Sequence, residues 1–115
     1  MFLVENRLAD DAVRRNVAAG GHYFDRDTMR CFGSRVHEGY DLGDGSTLVI
    51  MSNRDRGLGS LGAVADGRRH YYLILVDAAG DTSNLAGELH YDVSKETGYW
   101  FSLRAARSAA KRFRA

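Results

Sequence analysis

Apolar residues recur at helical spacing between Glu5 and Ala19, where Leu8, Ala12, Val13 and Val17 mark one amphipathic helix. Asp10 with Arg14 and Asp11 with Arg15 form two acid-first i,i+4 pairs on it, and Gly20-Gly21 ends it. A shorter helical turn is predicted after Asp25, a good N-cap, carrying Thr28, Met29, Arg30, Cys31 and Phe32, with Gly33 placed to stop it. The period then changes from 3.6 to 2. Ser34 to Tyr40 and Thr47 to Ser52 flank the turn signal Asp44-Gly45, and the run Thr47-Leu48-Val49-Ile50 favours a strand, which together predict a hairpin. Arg69 to Asp77 is the clearest strand. Gly80-Asp81 marks the next turn, and a Gly-interrupted strand lies within Thr82 to Val93. The last helix starts at Ser102, with Leu103, Ala106, Ala110 and Phe113 as its apolar stripe and Arg104, Arg107, Lys111 and Arg114 as a basic stripe beside it.

These elements predict a single α+β domain over residues 1–115. It is a four-stranded antiparallel meander with an N-terminal helix, a short second helix and a C-terminal helix, the helices packed on one sheet face. The third strand is apolar on both faces, with Tyr71, Leu73 and Leu75 on one and Tyr72, Ile74 and Val76 on the other. Both faces therefore want cover. A second copy on the open face, forming a two-fold homodimer, is the expected solution; the alternative is that the helices divide between the faces and complete the monomer.

Length agrees with one domain, since a second core in about 50 residues would need disulfides or a metal, and the chain has one cysteine, Cys31, and four histidines. No apolar run exceeds Tyr71 to Val76, so no membrane span is expected. The N-terminus lacks the pattern of an export signal, and the single thiol suits a reducing cytoplasm. The net charge of +1 conceals an asymmetry: residues 1–101 hold 11 basic against 15 acidic residues, whereas residues 102–115 hold five basic residues and no acid. An acidic body thus carries a basic tail.

Catalytic and cofactor signals fail on physical grounds. Gly57-Leu58-Gly59-Ser60-Leu61-Gly62 spells the dinucleotide fingerprint, but Asp66-Gly67 follows too soon for the helix whose N-terminus would face the pyrophosphate, so the Gly-rich stretch 54–67 reads as a hairpin loop. His22, His37, His70 and His90 form no local ligand pair, and Asp41 with Asp44 lacks the twelfth-position acid of a calcium loop, where Ser52 stands. Cys31 between Arg30 and Phe32 reads as a small buried residue. The expectation is a protein without enzyme activity, metal or cofactor.

The block Tyr23-Phe24-Asp25-Arg26-Asp27-Thr28-Met29-Arg30-Cys31-Phe32-Gly33-Ser34-Arg35 resembles the signature of a family of small proteins of tailed bacteriophages and prophages, whose function is uncharacterised. The likeness rests on the aromatic pair Tyr23-Phe24, on Thr28-Met29-Arg30, on Phe32 and on Ser34-Arg35, with Cys31 departing from the family's usual aromatic. Arg68-Arg69-His70-Tyr71 and the alanine-rich stretch Ala105 to Lys111 resemble the family more loosely. The resemblance implies an accessory phage protein working in the host bacterial cytoplasm. For a small protein without a cofactor, the task implied is binding and inhibiting a host protein complex, an anti-defence or anti-CRISPR-like role among them. Candidate partner-binding residues are Arg30 and Arg35, which folding explains least, and Asp41, Asp44, Asp55 and Asp66 near loop tips, suited to a basic channel. The alternative is nucleic-acid binding through Arg104, Arg107, Lys111, Arg112 and Arg114, beside Tyr99, Trp100 and Phe101.

Overall fold

The computed structural model describes residues 6–24, 29, 33–54, 69–84, 100 and 102–114. Among these, helix α1 (Arg7–Ala18) leads into strands β1 (Arg35–Asp41), β2 (Thr47–Arg54), β3 (Arg69–Val76) and β4 (Thr82–Asn84), and helix α2 (Leu103–Arg114) closes the chain. The strands form one antiparallel sheet in the order β1-β2-β3-β4, the expected meander. The short helix expected over 25–32 lies outside the described residues except for Met29, as do Cys31 and residues 55–68.

Side-chain alternation along β2 and β3 divides the core in two. Val49, Met51, Tyr72, Ile74 and Val76 meet Ala9, Ala12 and Val13 of α1, together with Phe24 and Met29. Leu48, Ile50 and Leu73 point the other way and meet Ala106, Ala109 and Ala110 of α2, with Trp100 beside them. The helices therefore occupy opposite faces, which corrects the expected placement on one. The cause is β3 itself, whose two apolar faces each gain a cover from the same chain. With that, the open apolar face on which a second copy was expected is absent from the described residues.

Trp100 supplies the crossing to the α2 face. Its backbone pairs with Tyr71 through two N–H···O bonds of 2.7 Å, so the chain meets β3 on the edge shared with β4 before turning into α2. Ser102 caps that helix as expected, its Oγ accepting from the Ala105 N–H at 3.1 Å.

On α1 the buried side is Ala9, Ala12, Val13 and Asn16, whereas Leu8 and Val17 stay 40% and 44% exposed. The predicted stripe is thus rotated, and Gly39 of β1 shows why. A Cβ at Gly39 would stand 2.6 Å from the Ala9 nitrogen and 2.9 Å from its Cα, so helix and strand backbones touch and only alanines fit between them. Asn6 fixes this contact: its Oδ1 accepts from the Ala9 N–H at 3.0 Å, capping α1, and from the Gly39 N–H at 3.2 Å.

Of the two expected i,i+4 pairs only Arg14–Asp10 forms, at 2.8 Å. Arg15 turns inward instead, its Nε donating to the Asp77 carbonyl at 2.9 Å and its Nη2 to Thr47 Oγ1 and the Val76 carbonyl at 3.1 and 3.2 Å. Three part-buried acceptors outweigh an exposed pair worth a few tenths of a kcal/mol.

Candidate functional site

Registers across the sheet bring the two described turns together. Asp41 pairs with Thr47, Thr47 with Val76 and Val76 with Thr82, so one row crosses all four strands and both turns leave from it. The turns also touch, since a Cβ at Gly45 would come within 3.0 Å of Ala78 Cβ. This end of the sheet carries Asp41 and Asp44 on one turn and Asp77 and Asp81 on the other, with Asp41, Asp44 and Asp81 exposed.

Each turn is folded around its own carboxylates. Asp41 Oδ1 accepts from the Gly43 N–H at 2.9 Å, Asp44 Oδ1 accepts from the Ser46 N–H at 3.0 Å and from the Ser46 hydroxyl, and Asp77 Oδ1 accepts from the N–H groups of Ala79 and Asp81 at 3.0 and 2.9 Å. Those bonds set the turn geometry, with Gly43, Gly45 and Gly80 at φ +85°, +90° and +95° taking the left-handed positions between them. The Ser46 hydrogen bonds also hold the Asp44 carboxyl below its ordinary pKa. In every case the bonded oxygen is Oδ1. Among the described residues no cation pairs with any of the four, and no group of three or more metal-ligating side chains is arranged for an ion.

Asp55 and Asp66 lie outside the described residues, in the connection between β2 and β3. Its flanking residues, Arg54 and Arg69, pair with each other at the opposite end of the sheet, away from Asp41 and Asp44. Sequence reasoning passed over Asp77 and Asp81, although the meander order already dictated that the first and third turns share an end.

Arg35 is exposed at that opposite end, and Arg30 lies outside the described residues. Other parts of the resemblance block belong to the core. Phe24 is buried, Tyr23 packs edge-on against it at 5.1 Å, and Met29 is buried beside them. Burial pushes the Tyr23 and Tyr72 hydroxyls above their ordinary pKa. Ser34 and Tyr72 both donate to Asn53 Oδ1, Tyr72 at 3.0 Å, so these hydroxyls are structural.

The basic helix is partly occupied by its own protein. Arg107 Nε donates to Glu38 Oε1 at 2.6 Å and its Nη2 donates to the same oxygen, while the Arg114 guanidinium lies 4.0 Å above the Tyr40 ring. The Arg107 bonds hold the Glu38 carboxyl below its usual range against the upward push of burial, with the Tyr40 hydroxyl a second donor. Burial and then Glu38 push Tyr40 up to about 12. Arg104, Lys111 and Arg112 are exposed. Two of the five bases, Arg107 and Arg114, thus fasten α2 to β1.

A polar junction that the sequence did not signal lies between β1 and this helix. The pairing of β1 with β2 slips between Val36 and Glu38, leaving His37 as an extra residue in the strand. His37 Nε2 lies 2.7 Å from the fully buried Ser52 Oγ, which also accepts from Arg69 Nη1 at 2.9 Å, and the His37 ring leans on Tyr71 at 5.3 Å. A Ser–His contact invites a nucleophilic reading, but Ser52 has no exposed surface in this structure.

Among the described residues no helix is long and apolar enough to cross a membrane. Comparison with protein-family models, with curated proteins and with solved structures finds no match.

Proposed function

We propose that this protein acts by binding, without chemistry of its own, and that its partner is a host bacterial protein presenting a basic face. The observation that supports this reading is the acidic end of the sheet. Asp41, Asp44, Asp77 and Asp81 stand on two touching turns with no described cation among them, and three are held by backbone N–H groups through Oδ1. Charges fixed in this way lose little freedom when a partner docks, and they steer association with a surface of opposite sign. The resemblance to phage accessory proteins supplies the setting, host cytoplasm, and a target class whose nucleic-acid channels are basic, defence complexes included.

The experiment is capture from host lysate at physiological salt, comparing the wild type with the triple variant D41N/D44N/D81N. Asparagine keeps the Oδ1 acceptors of residues 41 and 44 that shape the first turn, Asp77 stays in place to shape the second, and three charges are removed. A host protein held by the wild type, released by raised salt and lost in the variant supports the reading; no capture across several hosts, or equal capture by the variant, overturns it. A gel shift at low salt with R104A/K111A as control tests nucleic-acid binding, for which Glu38 and Tyr40 leave fewer than five bases.

A further inference from the structure

We propose that His37 is a proton-operated latch holding β1, and through it α2, to the rest of the sheet. Arg69 donates an N–H to Ser52 Oγ, and the acceptor available to the single Ser52 hydroxyl proton is His37 Nε2 at 2.7 Å. The closed junction therefore uses neutral imidazole, with its proton on Nδ1. Ser52 is completely buried, so a proton on Nε2 would leave two donors facing one hydroxyl whose own hydrogen has no solvent to meet.

The charges around His37 oppose a proton too. Arg35 and Glu38 face it from β1, Arg69 from β3 and Arg107 from α2, with Ser52 of β2 and Tyr71 of β3 as neutral contacts. Burial first, then Arg69, Arg35 and Arg107, lower its pKa below 6.5, and Glu38 alone pulls it up. The Glu38 carboxylate is already engaged by Arg107 and Tyr40. A protonated His37 must leave the Ser52 hydroxyl or draw Glu38 from Arg107, and either movement loosens β1 where α2 is fastened.

The sign follows by linkage. A histidine whose folded pKa is lowered contributes stability above its unfolded value of 6.5, and loses it as pH falls through the folded value. The test is a side-chain NMR titration of the histidines in the intact protein, with amide protection of β1 and α2 measured relative to α1 at about pH 7.5 and about pH 5. The expected results are a His37 midpoint below that of a free histidine, an upward shift of that midpoint in R35Q, and protection lost from β1 and α2 ahead of α1 in acid. In H37Q the selective loss should disappear. A midpoint at or above 6.5, or protection in β1 and α2 that follows α1, overturns the proposal. If H37Q does not fold, the wild-type titration and the exposed-site variant R35Q still decide it.

Discussion

The two faces of the sheet are covered by helices of equal length attached in different ways. On the α1 face the helix lies backbone to backbone on β1 at Gly39, and its polar anchors reach main-chain groups: Asn6 takes the Gly39 N–H, Arg15 gives to the carbonyls of Asp77 and Val76, and Asn16 Nδ2 gives to the Gly80 carbonyl at 2.7 Å. On the α2 face three alanines lie over Leu48, Ile50 and Leu73, and the polar anchors are side chains, Glu38 with Arg107 and Tyr40 with Arg114. Contacts to backbone depend on shape, which salt and pH leave alone. Contacts between exposed charges depend on both. The α2 side is therefore the face that conditions can loosen.

The largest expected effect tests how much of the α2 face rests on one residue. Trp100 is buried and is the largest side chain reaching that face from outside the sheet, so Trp100→Ala should cost about 3–5 kcal/mol. Urea unfolding followed by circular dichroism would measure it; a loss below about 0.5 kcal/mol, the scale of a surface substitution, would mean that alanines alone hold α2. Second, Gly39→Val should cost about 3 kcal/mol, at the top of the overpacking range, because its Cβ meets the Ala9 backbone at 2.6 Å and neither chain can swing away as a side chain would. A Gly39→Val protein of unchanged urea midpoint would refute close contact as the basis of the α1 face.

Element types were legible because periodicity changes at Ser34 and the turn signals Asp44-Gly45 and Gly80-Asp81 stand where the chain reverses. The apolar doubling of β3 also announced that both faces would be covered. Which helix takes which face was not legible, since it depends on where Trp100 crosses β3. The rotation of α1 was hidden for a similar reason: Leu8 and Val17 outrank Ala9 in hydrophobicity, and only the approach of Gly39, distant in sequence, makes alanine the residue that fits. The acidic end was half read, with Asp41 and Asp44 seen and Asp77 and Asp81 passed over. His37 and Ser52 met through a one-residue slip in pairing that leaves no mark on the alternation of residue types.

A third test concerns the backbone anchors of α1. Arg15→Met keeps most of the aliphatic stem but strips the part-buried hydrogen bonds to Asp77, Val76 and Thr47, leaving the Asp77 carbonyl with the Gly80 N–H as its donor. The expected cost is about 2 kcal/mol. Because these bonds end on neutral acceptors, the cost should be the same at low and high salt. A strong salt dependence would instead identify Arg15 as an ion-pairing residue and erase the contrast between the faces.

The smallest effect is the one that separates the faces most directly. Glu38→Gln removes the charge that faces Arg107 while keeping a hydrogen-bond acceptor, so the variant should lose only a small part of its stability, and only where salt is low. Its pH dependence has a defined sign. The Glu38 carboxyl is held below its ordinary 4.5 chiefly by Arg107, so the pair contributes fully above that value and its contribution disappears as pH falls through the folded pKa. Glu38→Gln should therefore lie below the wild type near neutrality and converge with it in strong acid, at a lower pH than the His37 transition. Trp100 is the only tryptophan in the chain and sits in the α2 cluster, so its fluorescence reports that face while circular dichroism reports both helices. Added salt should bring the fluorescence midpoints of wild type and Glu38→Gln together. Midpoints that stay apart in high salt would mean that Glu38 holds α2 by shape, as Gly39 holds α1, and that the two faces do not differ in kind.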